Sequence, residues 1–268
     1  NDLSFIAAMD HSGGSTGGVL ERYGVEYTED NKMDLVHQMR LRMINSPNFT
    51  NKNIWASILY LDSVTRGIVP ILEEKGIEAY LKIDSGCEDN GYLKYFNSDD
   101  MIKTAINNGC TGTKMRSIIK DPKDARMILE QQFALAESIH TAGLMPIIEP
   151  EVPIDHPNKA EVEATLYGLL HEFLEKYTGQ CILKLTLPEY SNFYMGVGAS
   201  KKVHKVVGLS GGYTTEEACR RLSQHADMTA SFSRGLSEGL FFDQSEEAFN
   251  SRINKNIHDI NLAGSLFR

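Results

Sequence analysis

Eight short strand-like runs, most followed by a segment of helical period, constrain this chain more than any other feature. They cover residues 5–10 (FIAAMD), 54–60 (IWASILY), 79–84 (AYLKID), 110–116 (CTGTKMR), 144–151 (LMPIIEPE), 180–186 (QCILKLT), 204–212 (HKVVGLSGG) and 228–235 (MTASFSRG). Helical patterns occupy 31–44, 101–109, 121–143, 158–177, 214–226 and 245–261, with a short helix or turn at 67–76. Asp121 with Pro122 can start the long helix and Gly143 can close it; Thr214 or Thr215 can cap the one that follows the seventh strand. Eight βα units in 268 residues predict an α/β fold, a (β/α)8 barrel, as a single domain over 1–268. A doubly wound sheet is the alternative, but its GxGxxG fingerprint is absent after the first strand, and GGSTGG is not that motif. The sequence opens just before its first strand and closes soon after its last helix, so short further segments are expected beyond its ends.

Within this pattern the stretch CILKLTLPE, 181–189, is out of character. A parallel strand covered on both faces should be almost uniformly apolar, yet Lys184 sits in its middle. An isolated buried ammonium is costly, and its usual escape is a lowered pKa. A lysine held largely neutral is a nucleophile for carbonyl carbon. An edge-strand lysine facing solvent is the competing explanation.

Charges recur where the other strands end: Asp10, Lys82 with Asp84, Lys114 with Arg116, Glu149 with Glu151, and Arg234. Residues two apart share a strand face, and in a barrel these strand ends form the site-bearing mouth. Each pair alone would serve as a salt bridge at a rim. Six strands charged at one level predict a shared pocket, in which Lys184 meets Lys114, Glu149 and Asp10. Two lysines that close would depress the pKa of one of them. The segment HSGGSTGG, 11–18, reads as a loop that lets backbone approach a ligand, or as a plain turn. SGG at 210–212 and SRG at 233–235 follow strands seven and eight, whose loops often hold phosphate; a serine hydroxyl, backbone N–H groups and Arg234 are the donors an oxyanion requires. An amine, carboxylates and an anion pocket together suit a phosphorylated ketone or aldehyde that passes through a Schiff base.

The formal net charge is −9, with no long basic block, so nucleic acid is not expected as a partner. No apolar run is long enough for a membrane span and there is no signal-peptide pattern. Cys87, Cys110, Cys181 and Cys219 are scattered without CxxC spacing, which predicts reduced thiols in a cytoplasmic protein. The eight histidines show neither HxH nor HExxH spacing, so no metal and no cofactor is expected. His11, beside Asp10, is the one histidine in an expected site loop.

With these residues in place, the chain resembles the class I fructose-bisphosphate aldolases, in their bacterial-type branch. FIAAMDHSGGST, YLKID, GTKMR, PIIEPE, ILKLT, LSGGY and SFSRG occur in family order and cover nearly the whole chain. The resemblance implies a metal-independent lyase that splits fructose 1,6-bisphosphate into dihydroxyacetone phosphate and glyceraldehyde 3-phosphate, and catalyses the reverse addition. It implies Lys184 as the Schiff-base lysine and Glu149 as the principal proton-transfer group. Glu151 would support the amine, Lys114 would assist carbinolamine formation and dehydration, and Asp10 would orient the substrate hydroxyl. Lys82, Arg116 and Ser12 would contact the substrate or its distal phosphate. Ser210, Gly211, Ser233 and Arg234 would hold the phosphate of the ketone half. Phosphorylated ketoses and trioses are thus the implied partners. The resemblance also allows a homo-oligomer, which no apolar stripe in the sequence decides. At His11 relatives commonly have glutamine and at Gly17–Gly18 proline-lysine; these departures bear on sugar preference and loop stiffness. The tyrosine-ended tail of the animal branch is not present in this sequence. Other readings are a Schiff-base aldolase or transaldolase for another sugar phosphate, and a catalytically silent barrel that binds partners.

Overall fold

The structure, a computed structural model, describes residues 4–265. The ends of the expected domain, 1–3 and 266–268, lie outside the described residues. Eight parallel strands follow one another around the sheet in chain order: β1 Phe5–Met9, β2 Ile54–Leu59, β3 Glu78–Lys82, β4 Gly112–Ile118, β5 Met145–Glu151, β6 Cys181–Thr186, β7 Val203–Leu209 and β8 Met228–Ala230. Helices alternate with them, so the chain forms the expected (β/α)8 barrel. β6 pairs with β5 on one side and β7 on the other, which rules out the edge-strand explanation for Lys184.

The strands divide their side chains by alternation. Ile6 and Ala8 of β1, Ala56 and Ile58 of β2, Tyr80 of β3, Ile147 of β5, Ile182 of β6 and Val207 of β7 form an inner apolar cluster, with Trp55 and Met145 packed against it. The intervening residues, such as Ala7, Leu81, Met115, Ile148, Leu183 and Leu185, face the helices and join the larger outer core. Lys184 is two residues on from Ile182 and Glu149 two on from Ile147, so both continue the inner face. The barrel is therefore oily in its lower layers and charged at the mouth.

Local rules explain some helix ends. Asp121 Oδ1 accepts from Lys123 N at 3.0 Å to open a 3-10 turn, Pro122–Asp124, that leads into Ala125–Thr141. Thr214 Oγ1 accepts from Glu217 N at 3.1 Å, capping Thr215–Leu222. The helix Lys32–Ile44 has an imperfect apolar face because Arg40 sits in it fully buried; its guanidinium donates to the His11 carbonyl at 2.6 Å and to Ser63 Oγ at 2.9 Å.

Three expectations need correction. The glycine-rich segment 11–18 is not all loop, because a helix, Ser15–Tyr23, begins inside it. Glycine is a poor helix former, but a side chain at position 17 would come within 2.5 Å of the Tyr27 hydroxyl, so packing overrides propensity. SRG does not extend the last strand: β8 stops at Ala230, and Arg234 opens a short helix, Arg234–Ser237. Likewise SGG is loop rather than strand, since β7 ends at Leu209.

Gly112 tests the barrel's internal packing. A Cβ there would lie 2.1 Å from Tyr80 Cε1 and 2.3 Å from the Met145 carbonyl oxygen, one of which is backbone and cannot turn away. Gly112→Ala is expected to lower the unfolding free energy by about 1–3 kcal/mol, measured by urea denaturation. An unchanged midpoint would contradict this packing.

Candidate active site

A cavity of about 660 Å³ opens at the C-terminal mouth of the barrel, and every site residue expected from sequence lines it. Its floor is a charge cluster. Lys114 Nζ, from β4, lies 2.7 Å from Asp10 Oδ2 and 3.1 Å from Glu149 Oε2. Lys184 Nζ, from β6, lies 3.8 Å from Glu149 Oε1. Lys114, Glu149 and Lys184 are all buried, at 3%, 4% and 4% exposure, so these charges interact with little screening.

The two lysines are driven in opposite directions. Burial opposes the charged form of Lys114, but Asp10, Glu149 and Asp84 outweigh it and hold its ammonium above the ordinary lysine range. Burial also opposes the charged form of Lys184, where the positive charge of Lys114 adds to it; Glu149 and Asp10 offset this only in part, and the pKa falls. Asp10 is pulled well below the usual carboxylate range: burial works against its charge, and Lys114 and Lys184 overcome it. The site thus contains a fixed ammonium beside an amine able to lose its proton.

The surroundings hold these groups in place. Gln132, from the helix Ala125–Thr141, accepts from Glu149 N at 3.2 Å and donates to the Glu149 carbonyl at 3.2 Å. Glu151 forms an ion pair with Arg116 and is not within ion-pair distance of Lys184, so it acts on the amine through space. Burial and the nearby Glu149 charge raise the Glu151 pKa against the pull of Arg116. Asp84 accepts from Arg116 N at 3.1 Å and from Gly86 N at 2.9 Å, fixing the start of the loop after β3. Lys82 Nζ donates to Ser12 Oγ at 2.8 Å. That contact joins β3 to the first loop on one side of the cavity.

Ser210, Gly211, Ser233 and Arg234 also line the cavity. Gly211 has φ +58°, a left-handed backbone that brings the loop close to the cavity, and a side chain there would meet Ile154 at 2.8 Å. Sequence reading missed Arg22, Ser15 and Gly18, which also line the cavity. They sit at i, i+3 and i+7 on the helix Ser15–Tyr23, a face that becomes visible only once 15–18 is recognised as helical. Burial and repulsion from Arg234 lower the Arg22 pKa, so two guanidinium groups confront each other across this side of the cavity. His11 Nε2 is 2.7 Å from Ser233 Oγ. No histidine, cysteine, aspartate and glutamate cluster among the described residues has the arrangement of a metal site.

A buried amine of lowered pKa, set among carboxylates at the mouth of a parallel barrel, is the arrangement a lysine nucleophile for carbonyl carbon requires. No family model matches the chain. It is, however, 41% identical over 279 residues to the class 1 fructose-bisphosphate aldolase of Clostridium acetobutylicum, covering 97% of this chain and 94% of that protein. It is 42% identical over 275 residues to the class 1 fructose-bisphosphate aldolase of a Synechocystis species, covering 96% and 92%. The chain belongs to the class 1 fructose-bisphosphate aldolase family. Solved structures bear on the fold. Plasmodium falciparum fructose-bisphosphate aldolase superposes with a TM-score of 0.80 at 18% identity, covering 98% of this chain and 91% of that one. An archaeal fructose-1,6-bisphosphate aldolase, solved with its catalytic lysine covalently bound to the carbinolamine intermediate, gives 0.54 at 12% identity, covering 95% and 94%.

The opposed lysines make an unequal pair of stability predictions. A lysine whose folded pKa is lowered costs stability when protonated; the cost is present at neutral pH and vanishes as pH rises through the unfolded value. Lys184→Met is therefore expected to stabilise the fold by about 0.5–2 kcal/mol near neutrality and to lose that advantage at alkaline pH. Lys114→Met strands two buried carboxylates and is expected to destabilise by about 3 kcal/mol. Urea melts across pH check both, and equal effects would contradict the charge assignment.

Proposed function

We propose that this protein cleaves fructose 1,6-bisphosphate to dihydroxyacetone phosphate and glyceraldehyde 3-phosphate, and condenses them in reverse, through a Schiff base on Lys184. The observation that supports this most is the position of Lys184: buried on the barrel's inner face, 3.8 Å from Glu149, with its pKa depressed beside a Lys114 that holds its proton more tightly. The relatives' shared name supplies the substrate.

In this reading the neutral Lys184 amine attacks the ketone carbon, and Lys114 donates a proton as the carbonyl oxygen becomes the carbinolamine hydroxyl. Glu149 moves the proton that lets this hydroxyl leave as water, giving a protonated imine. Asp10 orients the hydroxyl on the fourth carbon, whose proton passes to a cluster carboxylate. The bond between the third and fourth carbons breaks. Its electron pair enters the new enamine, the iminium nitrogen acting as the sink, and glyceraldehyde 3-phosphate leaves as an aldehyde. Protonation of the enamine carbon and hydrolysis of the imine release dihydroxyacetone phosphate and restore the amine.

Ser210, Gly211, Ser233 and Arg234 hold the ketone-half phosphate, joined by Arg22; two like charges facing an open cavity are relieved by an anion between them. Lys82, Ser12 and Arg116 receive the distal phosphate. Glu151 keeps Arg116 in place. We also propose a cytoplasmic location, supported by four free cysteines, and a homo-oligomer, supported by the adjacent exposed Phe241 and Phe242.

Incubation with dihydroxyacetone phosphate followed by borohydride is expected to fix a stable adduct on the peptide containing Lys184. Lys184→Ala is expected to abolish both adduct and turnover. A label on another lysine would overturn the assignment. Arg234→Ala is expected to raise KM for the bisphosphate about tenfold or more with a smaller change in kcat, as steady-state kinetics would read. Equal KM for wild type and variant would remove Arg234 from the phosphate pocket.

A further inference from the structure

The barrel is closed most weakly at one seam. Strand ladders run from β1 through to β8, but among the described residues none joins β8 back to β1. The seam is bridged by a backbone contact, Ala8 N to the Phe232 carbonyl at 3.4 Å. One layer nearer the mouth, the His11 ring meets the Ser233 hydroxyl at 2.7 Å. His11 is itself anchored from behind, since its carbonyl accepts at 2.6 Å from the fully buried Arg40, which also donates to Ser63 Oγ.

The ring is neutral over the working range. Burial pushes His11 down to about 4, with Arg40, Arg22 and Lys114 adding to the effect of burial and Asp10 opposing it. A neutral imidazole has one N–H and one acceptor nitrogen. If Nε2 accepted from Ser233, the only proton of that hydroxyl would be spent on the ring. A phosphate dianion offers acceptors alone, so Ser233 can serve it only if that proton is left over. The tautomer with hydrogen on Nε2 meets this requirement: the ring donates to Ser233 Oγ, and the hydroxyl proton turns to the phosphate.

We propose that His11 is a positioning residue for the ketone-half phosphate: it spans the β1–β8 seam and sets the Ser233 hydroxyl as a donor into the cavity. This rests on the reading of Ser233 and Arg234 as phosphate-holding groups. It assigns a task to a position where the chain departs from the glutamine expected of relatives. A glutamine carries its own amide N–H to nearly the same place as Nε2–H, so the two residue types are interchangeable in this one respect.

The test separates phosphate binding from Schiff-base chemistry by using two ketones, dihydroxyacetone phosphate and unphosphorylated dihydroxyacetone. Concentration dependence of borohydride trapping at Lys184 is measured for wild type, His11→Ala, His11→Gln, Ser233→Ala and the double variant His11→Ala/Ser233→Ala. Loss of one hydrogen bond in His11→Ala is expected to weaken apparent affinity for dihydroxyacetone phosphate about three- to tenfold, leave dihydroxyacetone within about twofold, and add nothing to Ser233→Ala. His11→Gln is expected to keep affinity within about twofold of wild type. Equal weakening for both ketones, no weakening, or a double variant weakened by the product of the singles would each overturn the proposal. Should His11→Ala fail to fold, His11→Asn, too short to reach Ser233, is expected to show the same selective loss, and full affinity there overturns it. If wild type traps neither ketone, the Schiff-base reading itself falls and this proposal with it; normal trapping by wild type with indifferent His11 variants defeats this proposal alone.

Discussion

The site depends on one ammonium, Lys114, lodged between Asp10 and Glu149 on the inner face of the barrel. Two carboxylates around one cation leave the cluster with a net negative charge, which a protonated Lys184 would neutralise. Burial and the Lys114 charge act against that, so of the two lysines Lys184 gives up its proton more readily. The residue type is the same at both positions; the surroundings decide which amine keeps its proton and which can lose it.

The barrel makes this arrangement stable. Asp10 just past β1, Lys114 of β4, Glu149 of β5 and Lys184 of β6 each contribute one side chain, placed by the same alternation that fills the inner layers beneath with Ile6, Ala8, Ile147 and Ile182. The apolar layers and the buried Gln132 contacts to Glu149 fix the backbone of the charged layer above. Other groups lining the cavity sit on loops and short helices: Gly211 in a left-handed turn, Arg234 at the start of Arg234–Ser237, Arg22 on Ser15–Tyr23.

Much of this was legible in the sequence because strand alternation is a simple rule. Once ILKLT is read as a strand of a parallel barrel, Lys184 must face either the helices or the interior, a choice settled by the structure, where Ile182 lies in the inner cluster. The same rule put Lys114 and Glu149 in its company. Helical period was harder to see where glycines blurred it: 15–18 read as loop, so Arg22 was not connected to the cavity. The Ser233–His11 contact could not be read at all, because it joins residues 222 positions apart across the barrel's closing seam. Nor could the buried Arg40, which in sequence only spoils an amphipathic pattern and whose partners lie in two other segments.

Nitrogen-15 NMR of the lysine side chains, followed across pH and assigned with the Lys114→Arg and Lys184→Arg variants, measures the protonation of the two amines directly. The expected result is a Lys184 Nζ that titrates below the ordinary lysine value while Lys114 Nζ remains charged past it. Two amines that titrate together, or the reverse order, would contradict the account.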